Sequence, residues 1–449
     1  MKKTTLITLM AALCCSCNVQ VQNPDEKSYE NHNWGNGNGN DVARELRLSP
    51  KQQQMLKQSN DFSLNLLRQT YKSDTGNENV LISPLSASMA LGMLMNSAAG
   101  ETLQQVKEGL GMADWTDEEV NEYYHLMLNT LPCLDTCTHL SLANSLWLKN
   151  GFPVIEDFIE VNKRYFMAQV ENVDFTDPQT ANLINDWADK HTNGLIKEVV
   201  SPAEIANCVA MLANALYFKG VWADKFDKAE TKDADFKSSK GQTQVVDMMH
   251  KEGEMKYAEP LNTPVKMQIM ELDYMGGAYC MDIFLPANDN EMTQLLEWLD
   301  SEYLTKMEST FWPWYEAHGM YEPNDTVRWQ NKRDVNFFMP KFTLRYSKIL
   351  NDDLKALGMT DMFNPSQADF SRLSNYPTYV SFVKQDTYMS VDEEGTEAAA
   401  VTVIGYNATS IEPIEIPVMR LDRPFVLLIR ERQFGTILFA GVIGNPNEK

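Results

Sequence analysis

The sequence predicts an α+β fold built on a large, mostly antiparallel sheet. Apolar residues at helical spacing cluster in the first half of the chain, whereas strand-like apolar runs dominate the second half. The two kinds of segment do not alternate as they would in a βαβ protein. With 449 residues, a hydrophobic content of 43% and no internal repeat, the chain can bury one large core, and we expect a single folded domain.

Helices and strands are predicted in a definite order. MALGMLMNSAAG (89–100) is apolar all round, which predicts a buried helix, and CVAMLANALYFKGVW (208–222) predicts a central strand covered on both faces. The other helical patterns occupy residues 43–72, 116–131, 179–191 and 348–358. The other strands are predicted at 140–150, in three segments between 244 and 285, and at 337–346, 379–391, 424–431 and 436–444.

The N-terminus has the features of a secretory signal. Two lysines precede an apolar stretch from Leu6 to Leu13, which is too short to span a bilayer as a mature helix. Ser16-Cys17 resembles a bacterial lipobox, so we predict a lipoprotein signal at residues 1–17, lipidation of Cys17, and anchoring to the outer membrane in the periplasm or at the cell surface. Residues 18–42 are polar with a Gly-Asn repeat and predict a flexible tether, which leaves 43–449 as the folded body.

The composition restricts the partners. Sixty-two acidic against 39 basic residues give a net charge of −23, which argues against nucleic acid, other polyanions or an anionic membrane surface as a partner. We therefore expect membrane contact only through the lipid anchor, and a monomer in solution.

The sequence gives no support to an enzyme. It contains no GxSxG, no HExxH and no glycine-rich phosphate loop, and its six histidines lack metal-ligand spacing, so neither a cofactor nor a metal is expected. Cys133 and Cys137 could close a small loop in an oxidising compartment or stay as two thiols. Cys208 and Cys280 lie in apolar strand-like runs, which predicts buried thiols.

An aromatic segment, FWPWYEAHGMYEPNDTVRW, occupies residues 311–329. It contains three tryptophans and two tyrosines in a polar, proline-containing stretch. An ordered surface insertion is the simpler interpretation, and a binding patch for a sugar or a partner is the alternative.

The stretch VDEEGTEAAAVTVIG, residues 391–405, is a poor helix because of its glycines and β-branched residues. It could form a strand, but its side chains have an unusually small volume for one. It resembles the hinge of the reactive loop in the serpin family. The hinge residues are Glu393, Glu394, Gly395, Thr396, Glu397, Ala398, Ala399, Ala400 and Thr402. Further serpin signatures are matched in the family's order at 79–100, 214–222, 339–342, 422–425 and 435–446. The resemblance runs from about residue 45 to the end.

The resemblance implies a serpin fold with three β-sheets, about nine helices and an exposed reactive-centre loop. It also implies a serine protease inhibitor that acts as a suicide substrate. In that mechanism the protease cleaves the loop, the loop inserts into the main sheet, and the distorted acyl-enzyme stays trapped. The family's breach and shutter positions fall on Asn79, Ser83, Pro84, Ser86, Asn214, Trp222 and Gln385. Gln385 stands where the family usually has histidine, and its amide can still donate and accept hydrogen bonds.

The residues themselves permit insertion. In an extended strand alternate side chains share a face, so Thr396, Ala398, Ala400, Thr402 and Ile404 would point together into the core. This set begins with small residues, so the first steps of insertion displace few neighbours. Glu397 would face solvent, and residues 393–412 contain no proline that would remove a ladder hydrogen bond.

The family's usual spacing implies cleavage between Thr409 and Ser410, to within one or two positions. Residues 401–411 contain no Lys or Arg, which argues against a trypsin-like target. Ala408-Thr409 suits the shallow pocket of elastase-like or subtilisin-like serine proteases. Tyr406 offers a chymotrypsin-like enzyme an earlier bond, and papain-type cysteine proteases are a further option.

Two other functions are alternatives. The first is a non-inhibitory serpin that acts as a binding or chaperone module, and the second is a surface lipoprotein that binds glycan through residues 311–329. The small hinge residues favour inhibition, because non-inhibitory members of the family often carry bulky, charged or proline residues there.

Overall fold

The computed structural model describes residues 44–260, 263–288, 291–310, 333–396 and 416–448. Several predictions fall outside the described residues: the signal with Cys17, the tether at 18–42, the aromatic segment at 311–329, the later hinge positions Glu397 to Thr402, and the bond between Thr409 and Ser410. In the described part of the chain, no helix is both long enough and apolar enough to cross a lipid bilayer.

The described residues contain ten α-helices, against the nine or so that the resemblance implies. Capping boxes begin two of the predicted helices, because Ser49 pairs with Gln52 at the start of α1 and Thr116 pairs with Glu119 at the start of α4. The helices are α1 (Pro50–Ser73), α2 (Pro84–Met95), α3 (Gly100–Gly109), α4 (Asp117–Thr130), α5 (Glu156–Phe166), α6 (Pro178–His191), α7 (Pro202–Ile205), α8 (Met292–Trp298), α9 (Ser301–Thr310) and α10 (Asn351–Ala356).

Fifteen strands are described, and they form two sheets. The strands are β1 (Val80–Ile82), β2 (His139–Lys149), β3 (Gln169–Val173), β4 (Ala210–Val221), β5 (Lys232–Lys237), β6 (Thr243–Ala258), β7 (Met267–Asp273), β8 (Tyr279–Pro286), β9 (Arg333–Pro340), β10 (Phe342–Ile349), β11 (Lys384–Asp392), β12 (Gly395–Thr396), β13 (Val418–Arg420), β14 (Phe425–Glu431) and β15 (Ile437–Ile443).

The six-stranded sheet, here called the main sheet, has the strand order β10-β11-β12-β4-β2-β3. Only β2 and β3 pair in parallel, and the other neighbours are antiparallel. The short strand β12 thus lies between β11 and β4, which run in the same direction. The predicted α+β class with a mostly antiparallel sheet is confirmed.

The nine-stranded sheet has the order β1-β15-β14-β8-β7-β6-β9-β13, with β5 also paired to β6. The long strand β6 divides it into two parts. Residues Met248–Met255 of β6 pair with β9, whereas Lys256–Ala258 pair with β7. Together with the main sheet, these two parts correspond to the three sheets that the resemblance implies.

Helix α2 lies in the core and contacts β4 of the main sheet and β15 of the other sheet. Ten of its twelve residues are buried, as its apolar sequence predicts. Ser83 caps its first turn, accepting a hydrogen bond from the backbone N–H of Ser86, and Pro84 occupies the first helical position, where its missing N–H costs nothing.

The strand predicted at 379–391 begins later, at Lys384. The backbone groups of the preceding residues bond elsewhere, because the N–H of Val380 donates to Met362 and the carbonyl of Val383 accepts from Leu350. The prediction that β4 is covered on both faces holds only in part. Ala215–Phe218 are buried, whereas Ala210–Asn214 are half-buried.

Cys280 is buried and Cys208 half-buried, and burial raises the pKa of both thiols. Cys280 lies beside Glu271 and Asp282, and ligand-type atoms of the three residues fall within 4.8 Å of one another. Arg430 donates to Glu271 at 2.6 Å and to Asp282 at 2.5 Å, and Lys256 lies 2.5 Å from Glu271. The carboxylates are therefore already balanced by cations, and the cluster is a buried ion network.

Candidate site for reactive-loop insertion

The hinge begins with a tight turn between β11 and β12. The Asp392 carboxylate accepts hydrogen bonds from the backbone N–H groups of Glu394 (2.9 Å) and Gly395 (3.2 Å). Gly395 has φ of +153°, and a Cβ there would lie 2.2 Å from the carbonyl oxygen of Gly220. Only glycine fits this position, since any side chain would push β12 away from β4.

Strand β12 carries the third and fourth residues of the hinge, Gly395 and Thr396, into the main sheet. Gly395 pairs with Val221 of β4 and with Asp392 of β11, and Thr396 pairs with Gly220 and Val391. The loop segment predicted to form a strand during insertion has therefore already begun that strand.

Two glutamates of the hinge are held by lysines. Glu394 accepts from Lys225 at 2.8 Å and from Lys228 at 2.9 Å, and these hydrogen bonds hold its pKa below the ordinary value. Burial raises the pKa of Glu393, but hydrogen bonds that include those from Thr231 (2.8 Å) and Lys341 outweigh it, so the net shift is downward. Both glutamates are charged at neutral pH and clamp the turn.

Trp222 covers the inner side of this turn. Its indole N–H donates to the Asp392 carbonyl at 3.0 Å, and its ring stacks on Tyr274 with centroids 4.7 Å apart. The Tyr274 hydroxyl lies 2.8 Å from the Thr396 hydroxyl, and the Thr396 side chain is buried. Thr396 thus points into the core, and burial raises the pKa of Tyr274 well above its ordinary range, which keeps its hydroxyl protonated.

Below β12 the edges of β4 and β11 are turned toward each other. Among residues 44–260 and 333–396, β4 pairs along Ala210–Lys219 only with β2, and β11 pairs along Lys384–Ser390 only with β10. A cavity of about 360 Å³ lies between the two strands, with side chains of α2 among its walls. A strand that continued β12 would run through this cavity.

Four predicted shutter residues line the cavity: Ser83, Ser86, Asn214 and Gln385. The Gln385 amide accepts from the backbone N–H of Ser83 at 3.0 Å and donates to its carbonyl at 2.7 Å. Asn214 donates to Asn144 at 2.7 Å, and its own oxygen is buried without a hydrogen-bond partner in the described part of the chain. That oxygen is an unused acceptor.

Asn79, which was also predicted as a breach or shutter residue, lies outside the lining of this cavity. Its side chain accepts from the backbone N–H groups of Gly444 and Asn445 at 2.9 Å and donates to the Asn445 carbonyl at 2.8 Å. These bonds tie β1 to the segment that follows β15. Asn79 therefore stabilises the chain terminus and is not among the residues that line the cavity.

Sequence reasoning missed Tyr274 and the three lysines that hold Glu393 and Glu394, which we call the lysine clamp: Lys225, Lys228 and Lys341. Lys341 belongs to the signature at 339–342, and Tyr274 lies within the region 244–285 where strands are predicted, but nothing in either segment indicates contact with the hinge. The spacing of Lys225 and Lys228 is a weak signal for a site that binds a carboxylate, because two cations three residues apart can reach the same group.

These features define a class: a protein whose C-terminal loop enters the main sheet at a glycine hinge, above a slot between two strands. Comparison with known proteins gives the family. The family model described as "Serpin (serine protease inhibitor)" matches residues 57–446, and the chain belongs to the serpin family. The fold predicted from the hinge and its companion signatures is confirmed.

Relatives and solved structures agree with this assignment. Neuroserpin of Homo sapiens is 32% identical over 393 residues, which cover 86% of this chain and 90% of neuroserpin. The leukocyte elastase inhibitor of Equus caballus is 31% identical over 393 residues and is covered to 97%. The native-state crystal structure of the thermophilic serpin Tengpin has a TM-score of 0.73 at 30% identity, covering 89% of this chain and 96% of Tengpin.

Proposed function

We propose that the protein inhibits serine proteases by cleavage and insertion of its reactive loop, and that it catalyses no reaction of its own. The observation that carries this proposal is β12: its two residues fill the top of a slot whose remaining length is lined by the edges of β4 and β11. Because β4 and β11 run in the same direction, a strand that continued β12 would be antiparallel to both of them.

The register of β12 gives the insertion a testable geometry. Thr396 pairs with Gly220 and Val391, and each further loop residue would move one position down both neighbouring strands. Thr402 would then lie between Asn214 and Gln385. A threonine hydroxyl at this level could donate to the unused oxygen of Asn214.

The energetics of insertion follow from the unpaired edges. Each inserted residue exchanges hydrogen bonds with water for hydrogen bonds to a neighbouring strand, for a net gain of roughly 0.5–1.5 kcal/mol per bond. Inward residues also bury apolar surface, at about 25 cal/mol per Å². Insertion therefore lowers the free energy once the loop is cut, and the free energy released can distort an attached protease.

In the reaction, the serine of the protease attacks the Thr409 carbonyl, and the amine of Ser410 leaves. The resulting ester joins the protease to the N-terminal part of the cut loop. Insertion then pulls the protease along, and its oxyanion hole loses the geometry that deacylation needs. The serpin contributes the cleavable bond and the inserting strand.

We assign the target to elastase-like or subtilisin-like serine proteases. Residues 401–411 offer no cation to a trypsin-like pocket, and Ala408-Thr409 fits a shallow one. The presence of a leukocyte elastase inhibitor among the relatives supports this choice.

Incubation with an elastase-like protease tests the proposal. We expect an SDS-resistant complex and a released C-terminal fragment that begins at Ser410, to within one or two residues. Clean cleavage without a complex would reject inhibition and favour a non-inhibitory serpin that acts as a binding module. Release of a fragment that begins elsewhere would move the reactive bond but leave the mechanism intact.

We further propose that Cys17 anchors the protein to a membrane through a lipid, with residues 18–42 as a tether. The sequence Ser16-Cys17 after a short apolar stretch supports this. Replacement of Cys17 by Ser should move the protein from the membrane fraction to the soluble fraction. Unchanged fractionation would reject the anchor without affecting the inhibitory mechanism.

A further inference from the structure

The outer face of the sheet formed by β6, β9 and β13 lies at the point where the reactive loop rejoins the body. Pairing places three strands in one register there: Asn336 of β9 lies between Glu252 of β6 and Val418 of β13, and Phe338 lies between His250 and Arg420. We name this surface the exit face. It consists of His250, Glu252, Glu254, Asp334, Asn336, Phe338, Val418 and Arg420 on the three strands, together with Ile416 just before β13.

A stack of side chains makes one end of the exit face rigid. The imidazole of His250 lies over Phe338 with centroids 4.5 Å apart, and the guanidinium of Arg420 lies 3.5 Å from the centre of the same ring. The ring nitrogen Nε2 of His250 is 2.6 Å from the side-chain oxygen of Asn336. The last strand is also fixed from its outer side, because Gln268 donates to the Val418 carbonyl at 2.9 Å.

The other end of the exit face is exposed and combines negative charge with apolar surface. Glu252, Glu254 and Asp334 are exposed, and Ile416 and Val418 are 40% and 51% exposed. Apolar side chains ringed by charge are typical of a surface that binds another protein.

Glu254 lies directly opposite Asp334 in the antiparallel pair of β6 and β9. Like charges in such a position oppose each other and destabilise the sheet. The isolated protein gains nothing from this pair, whereas a cation brought by a partner would relieve the repulsion.

The position of the exit face identifies the partner. Ile416 follows Ser410 by six residues, a span of at most about 20 Å. A bound protein covers roughly 800 Å² of its partner's surface, so a protease that holds the bond at 409–410 would have its rim over this face. A second copy of this chain is a poor occupant, because each copy carries a net charge of −23.

We propose that the exit face is a docking surface for target proteases whose active-site rim is basic, and that it accelerates their encounter with the loop. This inference rests on the proposed inhibitory function and narrows its target class to cationic elastase-like enzymes. Opposite charges facing each other across an interface steer association and raise the association rate, and the effect weakens as salt screens them.

The test compares Glu252→Lys/Glu254→Lys with the control Glu108→Lys/Asp114→Lys, which changes the net charge equally at exposed positions on and after α3. Two elastase-like proteases are used, one with a net positive and one with a net negative charge. We expect the exit-face variant to associate about tenfold more slowly with the cationic protease at low salt, and the difference to shrink at high salt. The control should stay within twofold of the wild type.

The single variant Glu254→Lys separates docking from misfolding. It places a cation opposite Asp334, so its melting temperature should equal or exceed that of the wild type while its association rate falls. Binding to a protease whose catalytic serine is replaced by alanine gives the dissociation constant without any trapping. One outcome separates the two proposals: the exit-face variant has a larger dissociation constant than the wild type, but even the wild type does not trap an active protease. That result would support the docking surface and reject the proposed inhibition.

Equal rates and equal dissociation constants for the exit-face variant and its control would overturn the docking proposal, and complex formation by both would leave inhibition standing. Concentration-dependent dimerisation that Glu254→Lys abolishes would also overturn it, because the exit face would then bind a second copy.

Discussion

The hydroxyl of Tyr274 lies 2.8 Å from the hydroxyl of Thr396, and this bond fastens the second residue of the inserted strand β12 to the core. Both residues are buried, and Tyr274 also stacks on Trp222, whose backbone N–H donates to the Glu394 carbonyl at 2.9 Å. The contact links the loop, the main sheet and the nine-stranded sheet at one point. The start of insertion is therefore built into the intact protein.

The Tyr274–Thr396 contact predicts non-additive mutations. Tyr274→Phe leaves the Thr396 hydroxyl buried without this partner and should lower the free energy of unfolding by about 1–2 kcal/mol. Thr396→Val should cost a similar amount, and the double variant should cost less than the sum, as measured by denaturant unfolding. Tyr376→Phe, at a residue that is 61% exposed, serves as the control and should have little effect. Strict additivity would mean that the two hydroxyls do not interact.

Replacement of Thr396 by Arg should convert the inhibitor into a substrate. Thr396 is 4% exposed and already lies in the main sheet, so an arginine would either bury its charge or force β12 out of the sheet, and either effect opposes further insertion. We expect cleavage by an elastase-like protease without an SDS-resistant complex. Thr396→Ser, which retains the hydroxyl, should still trap the protease. Undiminished trapping by the arginine variant would contradict the hinge assignment.

The lysine clamp predicts that acid loosens the hinge. Glu393 and Glu394 both have a pKa lowered by folding, so their stabilising effect is complete above the ordinary carboxyl pKa of 4.5 and is lost as the pH falls through the lowered values. Hydrogen exchange of the amides of 393–396, corrected for the intrinsic pH dependence of exchange, should therefore accelerate below about pH 4.5.

The matched variant for the acid response is Glu393→Gln/Glu394→Gln. Its amides should exchange faster at neutral pH and should lack the acid-induced step. Exchange in the wild type that stays equally slow down to pH 3 would show that the clamp does not hold the turn.

The sequence predicts most of the central elements because their residues carry the information locally. Helix α2 is apolar on all sides, and β14 and β15 are continuous apolar runs, so burial on every face could be inferred without the fold. Helices α3, α5, α7, α8 and α9 lie outside the predicted helical segments. Helix α3 has few apolar residues, so packing against its neighbours decides its structure. Helix α5 carries apolar residues at helical spacing between its charges, so the local signal was present and was overlooked.

The hinge motif was recognisable, but its surroundings were not. Glu394 and Lys225 are 169 residues apart, and Tyr274 and Thr396 are 122 residues apart, so only the folded sheets bring them together. The local sequence pattern could not predict that β11 begins only at Lys384. The backbone groups of Val380 and Val383 form hydrogen bonds with Met362 and Leu350, so they are not available for strand pairing.

The last prediction concerns the slot itself. Cleavage of the loop by a protease that is not trapped should let the N-terminal part insert, and the clipped protein should then melt well above the intact one. Thr402→Val should leave the melting of the intact protein unchanged but reduce the gain on cleavage by about 1 kcal/mol, because the buried oxygen of Asn214 then lacks a donor. Val401→Thr, on the outward side, is the control and should keep the full gain. A clipped protein that melts no higher than the intact one would mean that the edges of β4 and β11 do not accept the loop.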